Sequence, residues 1–152
     1  IVKYSPRAEI EAKWLKKLSK LKFVPKLLFS DKEKIIYYFI EGEPINNYLK
    51  NIKNPIPILK QVLKQCYELD KLKINKKELT NPYKHILIKN KKAKMIDFER
   101  CYQTSNPKNV TQFGEFIMRK RLVKRKDFIK ALKRYKEDKT KTNFEKILEK
   151  II

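Results

Sequence analysis

No apolar run in this chain exceeds the six residues of "IIYYFI" at 35–40. Six residues suit a strand and fall far short of the roughly 18 that a membrane-spanning helix requires. Every longer element must therefore be amphipathic, with one face buried and the other in water. A chain of 152 residues holds one domain's worth of core. Its 41% hydrophobic and 37% charged residues point to a globular protein. Nothing resembles a signal or transit peptide, so a cytoplasmic location is expected. The chain opens on Ile1 rather than Met, inside the strand-like "IVKY", and a further upstream segment is expected on that ground.

Residues 1–4 read as the end of a strand. "SPRAEIEAKWLKKLSKL" then reads as a helix with Ser5 at the N-cap and Pro6 in its first turn. Ile10, Trp14, Leu15, Leu18 and Leu21 recur at helical spacing, while Lys13, Lys16, Lys17 and Lys20 share the opposite face with Glu9. Glu11 falls within the apolar stripe, between Leu15 and Leu18. A carboxylate there either reaches out at the edge of the stripe or demands a positive partner.

Short strands at "KLLF" and "KIIYYFIE" flank the turn "SDKE", and Gly42 with Pro44 behind it reads as a hinge. A short helix near 45–51 and a longer one near 56–72 follow, the latter burying Leu59, Val62, Leu63, Cys66 and Leu69. "INKKELTNPYKH" is a polar loop, and "HILIKNKKAKMID" is a hairpin around "KNKK". Placing Ile88 opposite Ala93 puts His85, the only histidine, opposite Ile96 and beside Asp97. The loop carrying Glu78 is expected to arrive at the same open end of the ribbon.

Further helices are predicted at "NVTQFGEFIM", over 119–136 and at "NFEKILEKII". The stretch 119–136 holds ten Lys and Arg against the single acid Asp127, with Leu122, Phe128, Ile129, Leu132 and Tyr135 as its buried side. Arg119, Lys120, Arg121, Lys124 and Arg125 are its candidate polyanion-binding residues. The net charge is +22, distributed as +5 over 1–42, +8 over 43–118 and +9 over 119–152. Such a surplus favours phosphate-bearing partners, although a Lys-rich genome or a thermophile surface produces the same count. Two cysteines and one histidine cannot build a four-ligand zinc site, and Cys66 and Cys101 read as reduced thiols.

The order of these features resembles the protein kinase superfamily from its third strand onward, in particular the small atypical RIO-like serine/threonine kinases of archaea. The resemblance implies an α+β, two-lobe kinase-like fold in a single domain, 1–152. Its parts would be a partial N-lobe at 1–41, a hinge at 42–44 and a C-lobe at 45–152 that includes the basic helix. Lys3 matches the strand lysine that holds ATP phosphates, and Glu11 the helix glutamate that pairs with it. Phe39, Ile40 and Glu41 match the hinge segment whose backbone receives adenine. Asp97 of "IDFE" matches the metal-binding aspartate, so the implied cofactors are ATP and Mg²⁺.

Departures accompany the resemblance. Glu78 stands at the place of the catalytic aspartate, and His85, seven residues on, at that of the metal-binding asparagine. Imidazole is a poor Mg²⁺ ligand, so either Asn81 holds the metal instead or His85 touches a phosphate as a cation. Glu99 replaces glycine and adds a second carboxylate near the metal. The glycine-rich strand pair is absent from the chain. About ten residues separate Asp97 from the next helix, too few for a peptide-binding activation segment. The implied function is ATP-Mg²⁺-dependent phosphoryl transfer to a protein substrate, to the chain itself or to water, and the short segment after Asp97 also admits a metabolite or lipid-headgroup kinase. The rival reading is a degenerate kinase fold that binds RNA or a ribonucleoprotein.

Overall fold

The computed structural model describes all 152 residues and shows an α+β protein with six helices and small antiparallel sheets. The chain divides into two compact units. The first comprises 1–50 and 83–102, and the second 51–82 and 103–152. No helix is long and apolar enough to cross a membrane.

In the first unit, β1 (Val2–Tyr4), β2 (Leu27–Ser30) and β3 (Lys34–Tyr37) form an antiparallel sheet in the order β1-β3-β2. Helix α1 (Ala8–Lys17) lies between β1 and β2 in the chain. It begins later than the sequence predicts. Its N-cap is Arg7, and Ser5 instead closes the preceding turn, accepting the Arg7 N–H on Oγ at 3.1 Å and the Ala8 N–H on its carbonyl at 3.1 Å. The buried arc of α1 is also rotated from the expected stripe. Ala8, Glu11, Ala12, Leu15 and Leu18 are buried, at the i, i+3, i+4, i+7 spacing of one helical face, while Ile10 is exposed. Two small alanines let the helix approach closely, and the arc they define has Glu11 near its centre.

A second sheet, β4 (Glu43–Pro44), β6 (Ile86–Lys89) and β7 (Lys92–Met95), is ordered β4-β6-β7. Ile88 pairs with Ala93, as the sequence predicts. Asn90 and Lys91 have φ of 50° and 59°, the left-handed pair that a two-residue hairpin turn requires. Gly42 passes so close to β6 that a Cβ there would lie 2.9 Å from the Ile88 carbonyl oxygen. Helix α2 (Ile45–Asn51) follows β4.

The second unit is built on α3 (Ile56–Lys71), which buries Leu59, Val62, Leu63, Cys66 and Leu69 as predicted. The short β5 (Ile74–Asn75) follows, and β8 (Tyr102–Gln103) lies where the chain returns to this unit. Helix α4 (Asn109–Arg119) contributes Val110, Phe113, Phe116 and Ile117 to the core. From α5 (Arg125–Glu137) and α6 (Lys141–Glu149), Tyr135 and Phe144 join Tyr67, whose ring stacks on Phe144 at 4.2 Å between centroids.

The basic helix expected over 119–136 begins only at Arg125: Arg119 closes α4, and a turn at 120–124 breaks the chain before α5. The break is hydrogen-bonded. Arg121 N–H donates to Met118 O at 3.0 Å and Leu122 N–H to Ile117 O at 3.3 Å, and Arg121 adopts a φ of 55°. This is the Schellman ending of a helix, here without the usual glycine. Leu122 is half-buried and lies in the turn, outside the helical face assigned to it.

Candidate functional site

The first unit brings one ammonium and three carboxylates together. Lys3 sits in the middle of β1, paired with Ile35 of β3, and strand alternation turns it inward between the exposed Val2 and Tyr4. Its Nζ donates to Glu11 Oε2 at 2.9 Å, Asp97 Oδ1 at 3.3 Å and Glu99 Oε2 at 3.3 Å. An ammonium has three N–H bonds, and each has an acceptor.

Glu11 is only 1% exposed, which overturns the alternative that it reaches out at the edge of the stripe. Its second oxygen, Oε1, accepts the backbone N–H of Phe98 at 3.1 Å. One carboxylate thus ties strand, helix and the Asp97 segment together. Burial opposes the charge on Lys3, but the hydrogen bond and charge of Glu11, with Asp97 and Glu99, outweigh it and hold the ammonium pKa above the ordinary lysine value.

Asp97 is delivered by the end of the hairpin. Beyond β7 the Ile96 N–H still donates to His85 O at 2.9 Å, confirming the expected pairing, and Asp97 then turns with a φ of 64°. Left-handed backbone in a non-glycine residue is uncommon and marks a turn held by its surroundings. His85 Nδ1 lies 3.7 Å from Asp97 Oδ2, an ion-pair distance rather than a hydrogen bond. Ser5 Oγ donates to Glu99 Oε2 at 3.4 Å.

With Lys3 counted as +1 and three carboxylates as −3, the cluster is short of positive charge. The ligand oxygens of Glu11, Asp97 and Glu99 lie within 4.8 Å of one another. Hard oxygen donors of this kind suit Mg²⁺, whereas the imidazole of His85 does not. The donor set therefore fits a hard divalent cation through Asp97 and Glu99. Glu11 is the less available ligand, both its oxygens being committed to donors.

The other candidate residues lie elsewhere. Phe39 is 67% exposed, Ile40 is buried, and Glu41 forms a surface ion pair with Lys89. Phe39 and Ile40 line two clefts of the first unit, and neither cleft includes Lys3, Glu11, Asp97 or Glu99. Glu78 and Asn81 belong to the second unit, where Glu78 Oε2 lies 3.5 Å from the Nζ of the fully buried Lys76. Arg119, Lys120, Arg121, Lys124 and Arg125 also belong to it, all exposed at the α4–α5 turn, with the Arg119 guanidinium donating to Thr80 O.

Three arrangements escape sequence reasoning. Glu99 is expected as a carboxylate near the metal but not as a partner of Lys3, and Ser5 reads only as a cap. Lys76 sits in a polar loop with nothing to signal its burial. In the second unit, Asp70 is buried and accepts from Asn109 N at 3.0 Å, Asn109 Nδ2 at 2.7 Å and Tyr135 Oη at 2.8 Å. Its burial raises its pKa even though these hydrogen bonds oppose the rise. Nothing but its place near the end of the α3 apolar stripe could have marked it.

No family model matches the chain, and no curated protein shows significant sequence similarity to it.

Proposed function

We propose that the chain is an ATP- and Mg²⁺-dependent phosphotransferase with a kinase-like two-lobe fold, similar to the RIO-like serine/threonine kinases. The observation that carries this reading is the Lys3–Glu11 pair at 2.9 Å whose glutamate also accepts the N–H of the residue following Asp97. A lysine used only to neutralise a buried acid needs one partner. This one spans three carboxylates, two of which are part-exposed and exchangeable.

In this reading a phosphate oxygen replaces Asp97 and Glu99 on the Lys3 ammonium, while the buried Glu11 keeps that ammonium in place. The freed carboxylates become available as oxygen ligands. Bound Mg²⁺ would supply charge neutralisation on the transferring phosphoryl group. By the sequence resemblance Glu78, whose carboxylate lies 3.5 Å from the Lys76 ammonium within the second unit, is the candidate for orienting the acceptor hydroxyl. His85 stands beside Asp97, its Nδ1 3.7 Å from the carboxylate. Phosphoryl transfer is chiefly placement and charge stabilisation, which are what these groups can supply.

Calorimetry of ATP binding with and without Mg²⁺, on the chain and on Asp97→Asn, tests the reading. Binding that requires both Mg²⁺ and Asp97 supports it. Full Mg²⁺-dependent binding by a folded Asp97→Asn variant refutes the metal assignment.

A second reading is favoured by a separate observation, the five exposed cations gathered at the α4–α5 turn. Arg125 and Lys126 occupy the start of α5, where the helix dipole disfavours positive charge. An RNA-binding module accounts for that placement. It predicts salt-sensitive RNA binding that survives Asp97→Asn and falls when the five cations are neutralised together.

A further inference from the structure

We infer that the cleft between α1 and the segment 21–30 is a binding site for a small organic anion with an apolar body. This site is independent of the phosphotransfer reading. The cleft has a volume of about 850 Å³, within the range of small-molecule sites. Its apolar lining comes from Leu15, Val24, Pro25, Leu27 and Ile40.

Lys16, Lys22, Lys26 and Lys94 stand around it, all exposed, and no carboxylate lines it. Four like charges around one concavity repel each other, and a bound anion relieves that repulsion. The walls are joined by backbone hydrogen bonds. Met95 N–H donates to Phe23 O at 2.9 Å and Tyr38 N–H to Lys26 O at 3.1 Å, so the cleft is formed before any ligand arrives. The Lys26 ammonium lies 5.6 Å from the centre of the Tyr38 ring, which holds it at the rim.

Charge separates this cleft from the carboxylate cluster in the same unit. The cluster, with three acids and one lysine, attracts cations. The cleft, with four lysines and no acid, selects anions. Its apolar lining further favours a ligand with a hydrocarbon or aromatic body over a bare inorganic anion.

The test uses 8-anilinonaphthalene-1-sulfonate as the anionic probe and neutral N-phenyl-1-naphthylamine as its uncharged counterpart. Each is titrated by fluorescence into the whole chain, and amide shifts are mapped by NMR. One saturable site for the sulfonate is expected, with shifts confined to 15–30, 38–40 and 94. Its affinity should fall about tenfold in Lys16→Gln/Lys26→Gln/Lys94→Gln and should fall on raising salt from about 50 to about 500 mM. The charge-matched control Lys130→Gln/Lys133→Gln/Lys146→Gln should bind as the parent does.

The inference is overturned if the neutral probe binds as tightly as the sulfonate, if the control loses as much affinity as the cleft variant, or if the shifts map elsewhere. Should the cleft variant fail to fold, the salt dependence, the neutral probe and the amide map on the parent chain decide the matter alone.

Discussion

Glu11→Gln isolates the charge on the residue that joins strand, helix and the Asp97 segment. Gln has nearly the same volume, so no cavity opens. However, Glu11 uses two oxygens for two donors, Lys3 Nζ at 2.9 Å and Phe98 N–H at 3.1 Å, and an amide has one. Whichever way the amide turns, its NH₂ faces a donor. Losing one hydrogen bond to a charged group costs about 1.5–3 kcal/mol.

Breaking a fully buried pair costs about 3–5 kcal/mol because a charge is left unpaired. Here Lys3 retains Asp97 and Glu99 and is 28% exposed, so the expected loss stays near the lower figure, about 2–3 kcal/mol. Urea denaturation of the parent, Glu11→Gln, Lys3→Met and the double variant closes a cycle. Its expected coupling energy is about 1–3 kcal/mol.

The pH dependence provides a second check. The Lys3 pKa is raised in the folded chain, so its contribution is complete below the ordinary value of 10.5 and is lost as pH rises through the higher folded value. The stability difference between parent and Lys3→Met should therefore be flat between about pH 8 and 10 as far as Lys3 titration is concerned, and shrink only in more alkaline solution. A coupling energy below about 0.5 kcal/mol would refute the reasoning, since surface pairs reach that value without burial.

Asp70→Asn should cost about 2–4 kcal/mol, because an amide cannot accept from Asn109 and Tyr135 on both its heavy atoms. The raised pKa of Asp70 makes its contribution greatest below the ordinary 3.8 and smaller as pH climbs through the folded value, so the parent's lead over Asp70→Asn should narrow across that window in acid titrations. Arg121→Gly should raise stability by about 0.5–1 kcal/mol in thermal melts, since the φ of 55° at the end of α4 suits glycine better than arginine. Gly42→Ala should lower it by about 1–3 kcal/mol, because the added Cβ meets the backbone of Ile88 and not a side chain that can turn aside. An unchanged denaturation midpoint in Gly42→Ala would mean that the 42–44 segment moves freely away from β6.

What the sequence alone determined is what local periodicity and pairing can carry. The apolar spacing in 56–71 specifies the buried face of α3. The two hairpin strands and their turn specify that Ile88 meets Ala93, and with it that His85 neighbours Asp97. The position of Glu11 in an apolar stripe narrowed it to an edge residue or a carboxylate with a cationic partner, and its burial decided for the partner. These inferences succeed because their residues lie within one element or across one tight turn.

The tertiary structure decided the rest. Lys3 is 94 residues from Asp97 and 96 from Glu99 in sequence, and the periodicity of neither segment encodes their meeting, which only the resemblance in motif order pointed to. The rotation of α1 that buries Ala8 and Ala12 and exposes Ile10 reflects how closely the helix can approach its neighbours, a property of the packed pair. The break at 120–124 is a third case. The ten cations of 119–136 read as one helix from Arg119 onward, but the Schellman ending of α4 and the left-handed Arg121 outweigh the modest helical propensity there and delay the basic helix to Arg125. Propensity and periodicity act over a few residues, whereas a carboxylate cluster, a buried lysine or a lysine-rimmed cleft exists only once distant segments share the same space.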